Sequence, residues 1–308
     1  MKVHYGFEDL GGIINPVVTT GSFDGVHVGH TVIINQLNSI AKKINGESVL
    51  ITFHPHPRKV LYPDTAGKSL LLIKSQKEKI EQLSKSGLDH LIIVNFNIGF
   101  SKISSIDFIR KYLVDKLHAK YVIVGFNHYF GHNREGNFNF LYELGKYYHF
   151  EVEEIPEQDI QNETVSSTKI RSAIKEGYIQ KANAYLDHIY NVIGPLKKEL
   201  NPYEKLGINP VQIFIEEEEK LLPSDGVYAA KIFYNNQYFK GIVIRCQALE
   251  SELTGKRYIY FYSNELPENL IGNDVEVLFF KQIESRIDLE NFKQQIKKHM
   301  YEVEELIY

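Results

Sequence analysis

The chain has 308 residues, of which 43% are hydrophobic and 24% charged, and its formal net charge is -4. This length exceeds what one typical core needs, so two domains are expected, and the charge gives no general positive field to hold duplex nucleic acid. The single cysteine, Cys246, excludes a disulfide framework and cysteine-rich zinc sites. The opening residues, MKVHYGFEDLGGIINP, lack the basic and apolar regions of a secretory signal, and no apolar run reaches membrane-spanning length. A cytoplasmic protein acting on small molecules is expected, with no nucleic-acid or membrane partner. Its oligomeric state is not legible.

In chain order, the first half alternates between apolar, β-branched runs and segments of helical period. Strands are expected at 17–20, 48–53, 91–96, 121–124 and 150–155. After His30, residues Ile33, Ile34, Leu37, Ile40 and Ala41 follow the i, i+3, i+4, i+7 pattern of a helix with one apolar face. Further helices are expected over 75–86, 104–117 and 137–148. Alternation of this kind implies an α/β domain with a parallel sheet covered by helices, and ligands in such sheets sit beyond the carboxyl ends of the strands.

Beyond Tyr185 the rhythm changes to short alternating runs at 211–215, 226–234, 239–245, 257–262 and 274–280. Turn residues separate them, which predicts a small antiparallel barrel or sandwich. A last helical segment is expected over 289–308. The boundary falls between 186 and 191, giving domains 1–186 and 187–308. The acidic run 216–219 reads as a solvated strand end or loop.

The stretch TTGSFDGVHVGHTVIINQL, residues 19–37, follows a strand and opens a helix. Gly21, Gly25 and Gly29 let backbone approach a ligand closely, and the helix start supplies N–H groups that suit anions. Gly-Lys-Ser/Thr is missing, so this is not a Walker loop, and the glycine spacing is not that of a dinucleotide fingerprint. His27 and His30 are three apart and share a face on the first helical turn. Imidazoles there can donate to phosphate oxygens and gain charge as negative charge builds, which suits attack on an α-phosphate with departure of pyrophosphate.

Three further stretches carry candidate chemistry. TFHPHPRKVL, residues 52–61, ends a strand in a stiff loop, because each proline biases its predecessor to extended geometry. Its histidines lack the spacing of a metal site. VGFNHYFGHNREGNF, residues 124–138, sets aromatic rings among glycines and offers stacking surfaces for a flat ring system. VSSTKIRSAIKEG, residues 165–177, starts a helix with Ser166 or Ser167 as cap. Arg171, one turn on, can reach phosphate oxygens in a bidentate way.

Together these motifs resemble a known family. GSFDGVHVGH resembles the (T/H)xGH nucleotidyltransferase motif in the fuller form used by bacterial FAD synthetases. TFHPHPRKVL is similar to the family's TFxPHPxxVL loop, with His54 where an acidic residue is usual. VGFNHYFGHNREG is similar to its VGxDFxFGxxRxG segment, with Asn127 and His128 in place of Asp-Phe. SSTKIR matches its SSTxIR motif. The resemblance covers almost all of residues 17–186. It implies a Rossmann-like domain that makes FAD and pyrophosphate from ATP and FMN with Mg2+. His27, His30 and Arg171 are the implied catalytic residues. Gly21, Ser22, Phe23, Asp24, Gly29, Ser167 and Thr168 would bind ATP phosphates. Phe53, His56, Pro57, Arg58, Asn127, Phe130 and Arg134 would bind flavin or nucleotide. Asp24 fits two roles, holding a helix start or a metal-bound water.

The second half is similar to the family's riboflavin kinase barrel in two places, LLPSDGVYAAKI at 221–232 and GNDVEVLFFKQIESRIDLENFKQQIKKH at 272–299. The kinase's phosphate segment, G…GRxLGFPTAN, is matched by IGPLKKELNPYEKLGINPVQI at 193–213. There Leu206 and Gly207 remain, Pro210 stands for Thr and Gln212 for Asn, and Lys197, Lys198 and Glu199 replace glycines. The strand that carries the kinase's glutamate reads RYIYFYSNE, with Glu265 beyond the aligned place. A degenerate barrel is therefore expected. A fully bifunctional enzyme, a non-catalytic flavin sensor, and a nucleotidyltransferase acting on a pantetheine or nicotinate phosphate are the alternatives.

Overall fold

The expected apolar runs of the first half form one parallel sheet. Its strands are β1 (Lys2–Tyr5), β2 (Val17–Thr20), β3 (Ser48–His54), β4 (His90–Asn95), β5 (Tyr121–Gly125) and β6 (Glu151–Ile155), in spatial order β1-β4-β3-β2-β5-β6. All five pairings are parallel. This structure is a computed structural model that describes residues 1–126, 128–160, 163–198, 201–247, 257–288 and 290–307. Strand β2 is buried throughout and β3 over its first five residues, as a sheet covered on both faces demands. Successive side chains enter opposite cores. Val18, Val49, Ile92 and Val122 pack with Phe108, Ile109 and Leu141, whereas Val17, Leu50, Leu91 and Ile123 pack with Ile34 and Leu37.

The connecting helices are α1 (Val28–Lys43), α2 (Pro57–Leu61), α3 (Gln76–Ser84), α4 (Ile98–Ser101), α5 (Ser105–Phe108) and α6 (Phe138–Tyr148). The expected helix over 104–117 forms, but after α5 it widens to a π-helix at Ile109–Lys116. Helix α2 was not expected. It begins at Pro57, a position where the missing N–H costs nothing. A short antiparallel hairpin joins β7 (Asp159–Ile160) and β8 (Glu163–Thr164).

The second half is a closed antiparallel barrel of β9 (Tyr190–Lys197), β10 (Val211–Phe214), β11 (Gly226–Tyr234), β12 (Gln237–Arg245), β13 (Tyr258–Tyr262) and β14 (Asp274–Glu284). Asn235 and Asn236, at φ 46° and 60°, make the tight turn from β11 to β12. From Ile193 onward, strand β9 overlaps the stretch matched to the kinase's phosphate segment. It closes the barrel between β10 and β14. Gly194 is required there, since a Cβ would stand 2.1 Å from the Phe214 carbonyl. Helices α7 (Ser167–Lys175), α8 (Ile179–Leu186) and α9 (Phe292–Leu306) complete this half. Phe292, Ile296 and Val303 of α9 pack into the barrel core with Val227, Ile242 and Tyr260.

By packing, Met1–Leu70 and Lys79–Val165 form one unit, and Leu71–Glu78 with Ser166–Tyr308 the other. A buried cation explains why Leu71–Glu78 stays with the barrel. Lys220 Nζ lies 2.6 Å from Glu78 Oε2 and donates to the carbonyls of Ile73 and Asn191. Both side chains of the pair are almost fully buried, and the extra acceptors offset part of the desolvation cost. Among the described residues no helix is long and apolar enough to cross a membrane.

Candidate active site

The chain runs from β2 to β3 to β4 on one side, then returns to place β5 on the other side of β2. Such a switch point opens a crevice at the carboxyl ends of the two strands. The loop from Gly21 to His27 leaves β2 there, and the loop from Phe126 to Asn137 leaves β5.

The first loop is held in an unusual shape. Phe23, Gly25 and Val26 have φ of 48°, 89° and 47°. For a β-branched residue such as Val26 this conformation costs roughly 1–3 kcal/mol. Burial of Phe23 and Val26 against Ile34 and Leu37 offsets it. Gly21 N donates to the Ile51 carbonyl at 3.0 Å, which fixes where the loop leaves the sheet. The Ser22 carbonyl accepts from Thr52 Oγ1 at 3.1 Å and Lys79 Nζ at 3.4 Å. Asp24, within this loop, is buried. The N-cap of α1 is His27 rather than Asp24, and its side chain makes no capping bond.

The two histidines meet as their spacing predicts. Their rings stack with centroids 3.7 Å apart and planes at 19°, and Phe23 lies 4.5 Å from the His30 ring. Burial, followed by electrostatic coupling to His27 and Lys79, holds the His30 imidazole well below the ordinary histidine range. His30 is therefore neutral near pH 7. Its Nδ1 is buried without a hydrogen-bond partner. Gly29 sits in the same helical turn, with room for a Cβ no closer than 3.4 Å to the His27 ring.

Lys79 was not found from sequence. Its signal is faint: a lysine four residues before the fully buried Leu83 of α3, hence on the helix's apolar side.

The loop after β3 is organised by its histidine. His56 caps α2, its Nδ1 accepting from Arg58 N at 3.2 Å, and Pro57 takes the first helical position. His54 and Arg58 are exposed, and Phe53 is half-buried.

The loop after β5 closes on itself. Phe130 and Gly136 exchange backbone hydrogen bonds of 3.0 and 2.9 Å. Gly131, at φ 77°, lies so close to α5 that a Cβ would stand 2.6 Å from Ser105 N. Ser105 N donates to Glu135 Oε1 at 2.7 Å. These contacts press the loop onto the start of α5. Phe130, Phe108, Phe100 and Phe53 then form a chain of ring contacts 6.0–6.4 Å apart, so two of the expected flavin-site rings join one aromatic cluster. Arg134 is exposed, its guanidinium 4.5 Å from the Tyr129 ring. His128 packs on Phe130, its Nε2 buried without a partner, and burial pushes its pKa down to about 4. Asn127 lies outside the described residues, as does Glu199. Phe126 and Tyr129 are the open rings of this loop. They were not singled out in the sequence, where only Phe130 fits the family pattern.

The third motif settles its cap. Ser166 Oγ accepts from Lys169 N at 3.4 Å, and Ser167 is the first residue of α7. Arg171 is buried and Thr168 exposed. These residues belong to the second packing unit, whereas His27, His30, Lys79 and the loops after β2, β3 and β5 belong to the first.

The FAD synthetase family model matches residues 13–169. The chain belongs to the FAD synthetase family. It is 34% identical to the bifunctional riboflavin kinase/FMN adenylyltransferase of Listeria monocytogenes, over 87% of this chain and 84% of that protein. It is 31% identical to the protein of the same description from Buchnera aphidicola subsp. Acyrthosiphon pisum, over 92% of this chain and 90% of the relative. A crystal structure described as a macrolide-efflux protein from Streptococcus pneumoniae superposes with a TM-score of 0.83 at 21% identity, covering 99% and 98% of the two chains. At that identity the likeness concerns the fold alone. The similarity to these two relatives extends across both halves of the chain, beyond the residues that the family model matches.

Proposed function

We propose that the chain transfers AMP from ATP to FMN. An oxygen of the FMN phosphate attacks the α-phosphorus of ATP, the bond to the bridging oxygen of the β-phosphate breaks, and pyrophosphate leaves with the electron pair, giving FAD. The observation that carries this reading is the stacked His27–His30 pair at the start of α1, His27 buried and His30 half-buried, beyond the carboxyl end of β2. A neutral imidazole there donates to an α-phosphate oxygen and strengthens that bond as charge develops. Gly21, Ser22, Phe23, Asp24 and Gly29 bind the triphosphate in this proposal. Ser167, Thr168 and Arg171 hold the departing phosphates. Phe53, His56, Pro57, Arg58, Asn127, Phe130 and Arg134 line the flavin side, where Phe126 and Tyr129 join them. The proposal assigns adenylyl transfer to residues 1–186 and a kinase-like barrel to 187–308, in a cytoplasmic enzyme.

Mg2+ fits this donor set. No group of three or more His, Cys, Asp or Glu is arranged for a metal among the described residues, and Mg2+ needs none when substrate phosphates supply its oxygens. Asp24 is the carboxylate of the loop that would meet such an ion. Bound with ATP, it would shield the charge of the triphosphate.

The barrel supports two readings. Pro210 offers neither hydroxyl nor N–H, and Gln212 is buried within β10, which favours a barrel without kinase turnover. The relatives matched over most of this chain are described as bifunctional riboflavin kinase/FMN adenylyltransferases, which favours the fully bifunctional enzyme. Incubation of the purified full chain with ATP, Mg2+ and either FMN or riboflavin decides. FAD from FMN alone supports the first reading, and FMN or FAD from riboflavin the second. No FAD from FMN overturns the proposal itself.

A further inference from the structure

Lys79 is a cation beside the loop that the proposed function assigns to the triphosphate. Its side chain is buried, and Nζ reaches the Ser22 carbonyl at 3.4 Å and Thr52 Oγ1 at 3.3 Å. Thr52 Oγ1 itself donates to the same carbonyl at 3.1 Å. The carbonyl and the next N–H of one peptide point in opposite directions. Drawing the Ser22 carbonyl toward α3 and β3 therefore turns the Phe23 N–H the other way. Phe23 holds a left-handed backbone at φ 48°, so this peptide orientation is imposed rather than relaxed. An apolar residue of similar volume would fill the same space without the desolvation cost of an ammonium group.

We propose that Lys79 is a positioning residue of the adenylyl-transfer site, fixing the Ser22–Phe23 peptide for the triphosphate and supplying a standing positive charge behind His30. The inference rests on the adenylyl-transfer reading and adds a residue that none of the sequence motifs contains. Two titratable groups act on His30, His27 from its own helix and Lys79 from α3, and the Phe23 ring covers it from the loop. A positive neighbour disfavours a second positive charge. Removing Lys79 raises the His30 pKa, so His30 becomes charged at a higher pH than before. The acid limb of kcat moves upward with it.

The test uses the full chain with Lys79→Met, Lys79→Arg and Thr52→Val. Steady-state FAD formation is measured across pH, and the His30 ring is titrated by NMR. For Lys79→Met we expect KM for ATP to rise about 10-fold or more through the mispositioned loop, with KM for FMN within two-fold of the parent. We also expect an upward move of both the acid limb and the NMR titration of His30. Lys79→Arg restores the titration. Thr52→Val keeps the cation, so it raises KM for ATP and leaves the titration in place. If Lys79→Met does not fold, the other two variants carry the same decision. Unchanged KM for ATP in Lys79→Met, an unmoved His30 titration, or a Thr52→Val variant identical to the parent overturns the proposal. Parent protein that makes no FAD overturns the reading of function instead, and the NMR titration still judges Lys79.

Discussion

The loop from β2 into α1 and the connection from β9 into β10 were both matched to phosphate-binding segments, and they are built in opposite ways. The first holds left-handed backbone at Phe23 and Val26 and keeps Asp24, Lys79 and Thr52 buried beside it. The second contributes a regular strand, β9, on one side and Gln212 within hydrogen-bonded β10 on the other. Between them Tyr203 and Ile208 belong to the barrel core. Strain and buried polar groups persist where something must be held ready for a charged ligand. In the second, the described residues on either side of the connection lie in strand ladder and barrel core.

The sharpest way to break this contrast is to remove the imidazoles. His27→Ala and His30→Ala should each lower kcat for FAD formation by about 10²–10⁴-fold, the usual range for a group acting on transition-state charge. Normal circular dichroism would show that the fold survives, and unchanged FAD formation would remove the pair from the mechanism. On the barrel side, phosphorylation of riboflavin should run at least about 10²-fold slower than adenylyl transfer, the loss typical of a missing acid–base group. Comparable rates would mean that other residues perform the kinase chemistry.

Backbone shape gives a finer probe. Val26→Gly fits the left-handed backbone but gives up the burial that holds the loop. A fall of about 10-fold in kcat/KM for ATP is expected from lost positioning. Asn236→Gly, at the equally left-handed turn between β11 and β12, should leave FAD formation unchanged. It should alter stability by less than about 1 kcal/mol in a denaturant melt. If the two glycines behave alike, the loop's shape is not functional.

The smallest effect concerns acid. The folded pKa of His128 is pushed down to about 4 by burial, against about 6.5 for an unperturbed histidine. A group lowered in the folded state favours folding above its unfolded value, and that stability is lost as pH falls toward 4. His128→Phe should flatten the decline in denaturation midpoint between pH 6.5 and about 4. An unchanged slope would show that His128 is not the group responsible.

Much of this was legible in the sequence. Strands buried on both faces read as continuous apolar runs, so β2 to β5 fall close to their expected places; β6 does too, although its EVEEI run is charged and only partly buried at the sheet edge. The His27–His30 pairing follows from three-residue spacing on a helix. Strand β1 was missed because KVHY is short and made into a strand by pairing with β4. Strand β9 was missed because IGPLK carries glycine and proline, and only the approach of β10 explains the glycine. Lys79 escaped for another reason. Its partners, Ser22 and Thr52, are 57 and 27 residues away in the chain, and no local pattern announces a contact of that kind.

Helix α3 has a consequence for anyone who would cut this protein in two. Glu78 and Lys79 are neighbours in the chain, yet the first is counted with the barrel and the second with the sheet. A gene fragment starting at residue 187 would encode every barrel strand and still omit Glu78, Ile73 and the helices α7 and α8. Lys220 would then be left as a buried ammonium without its carboxylate, a loss of about 3–5 kcal/mol for a broken buried pair. Dissection at one bond is therefore the wrong operation. The barrel should be recovered only when residues 71–78 are returned to it, as a peptide added in trans or by rejoining the chain in a new order.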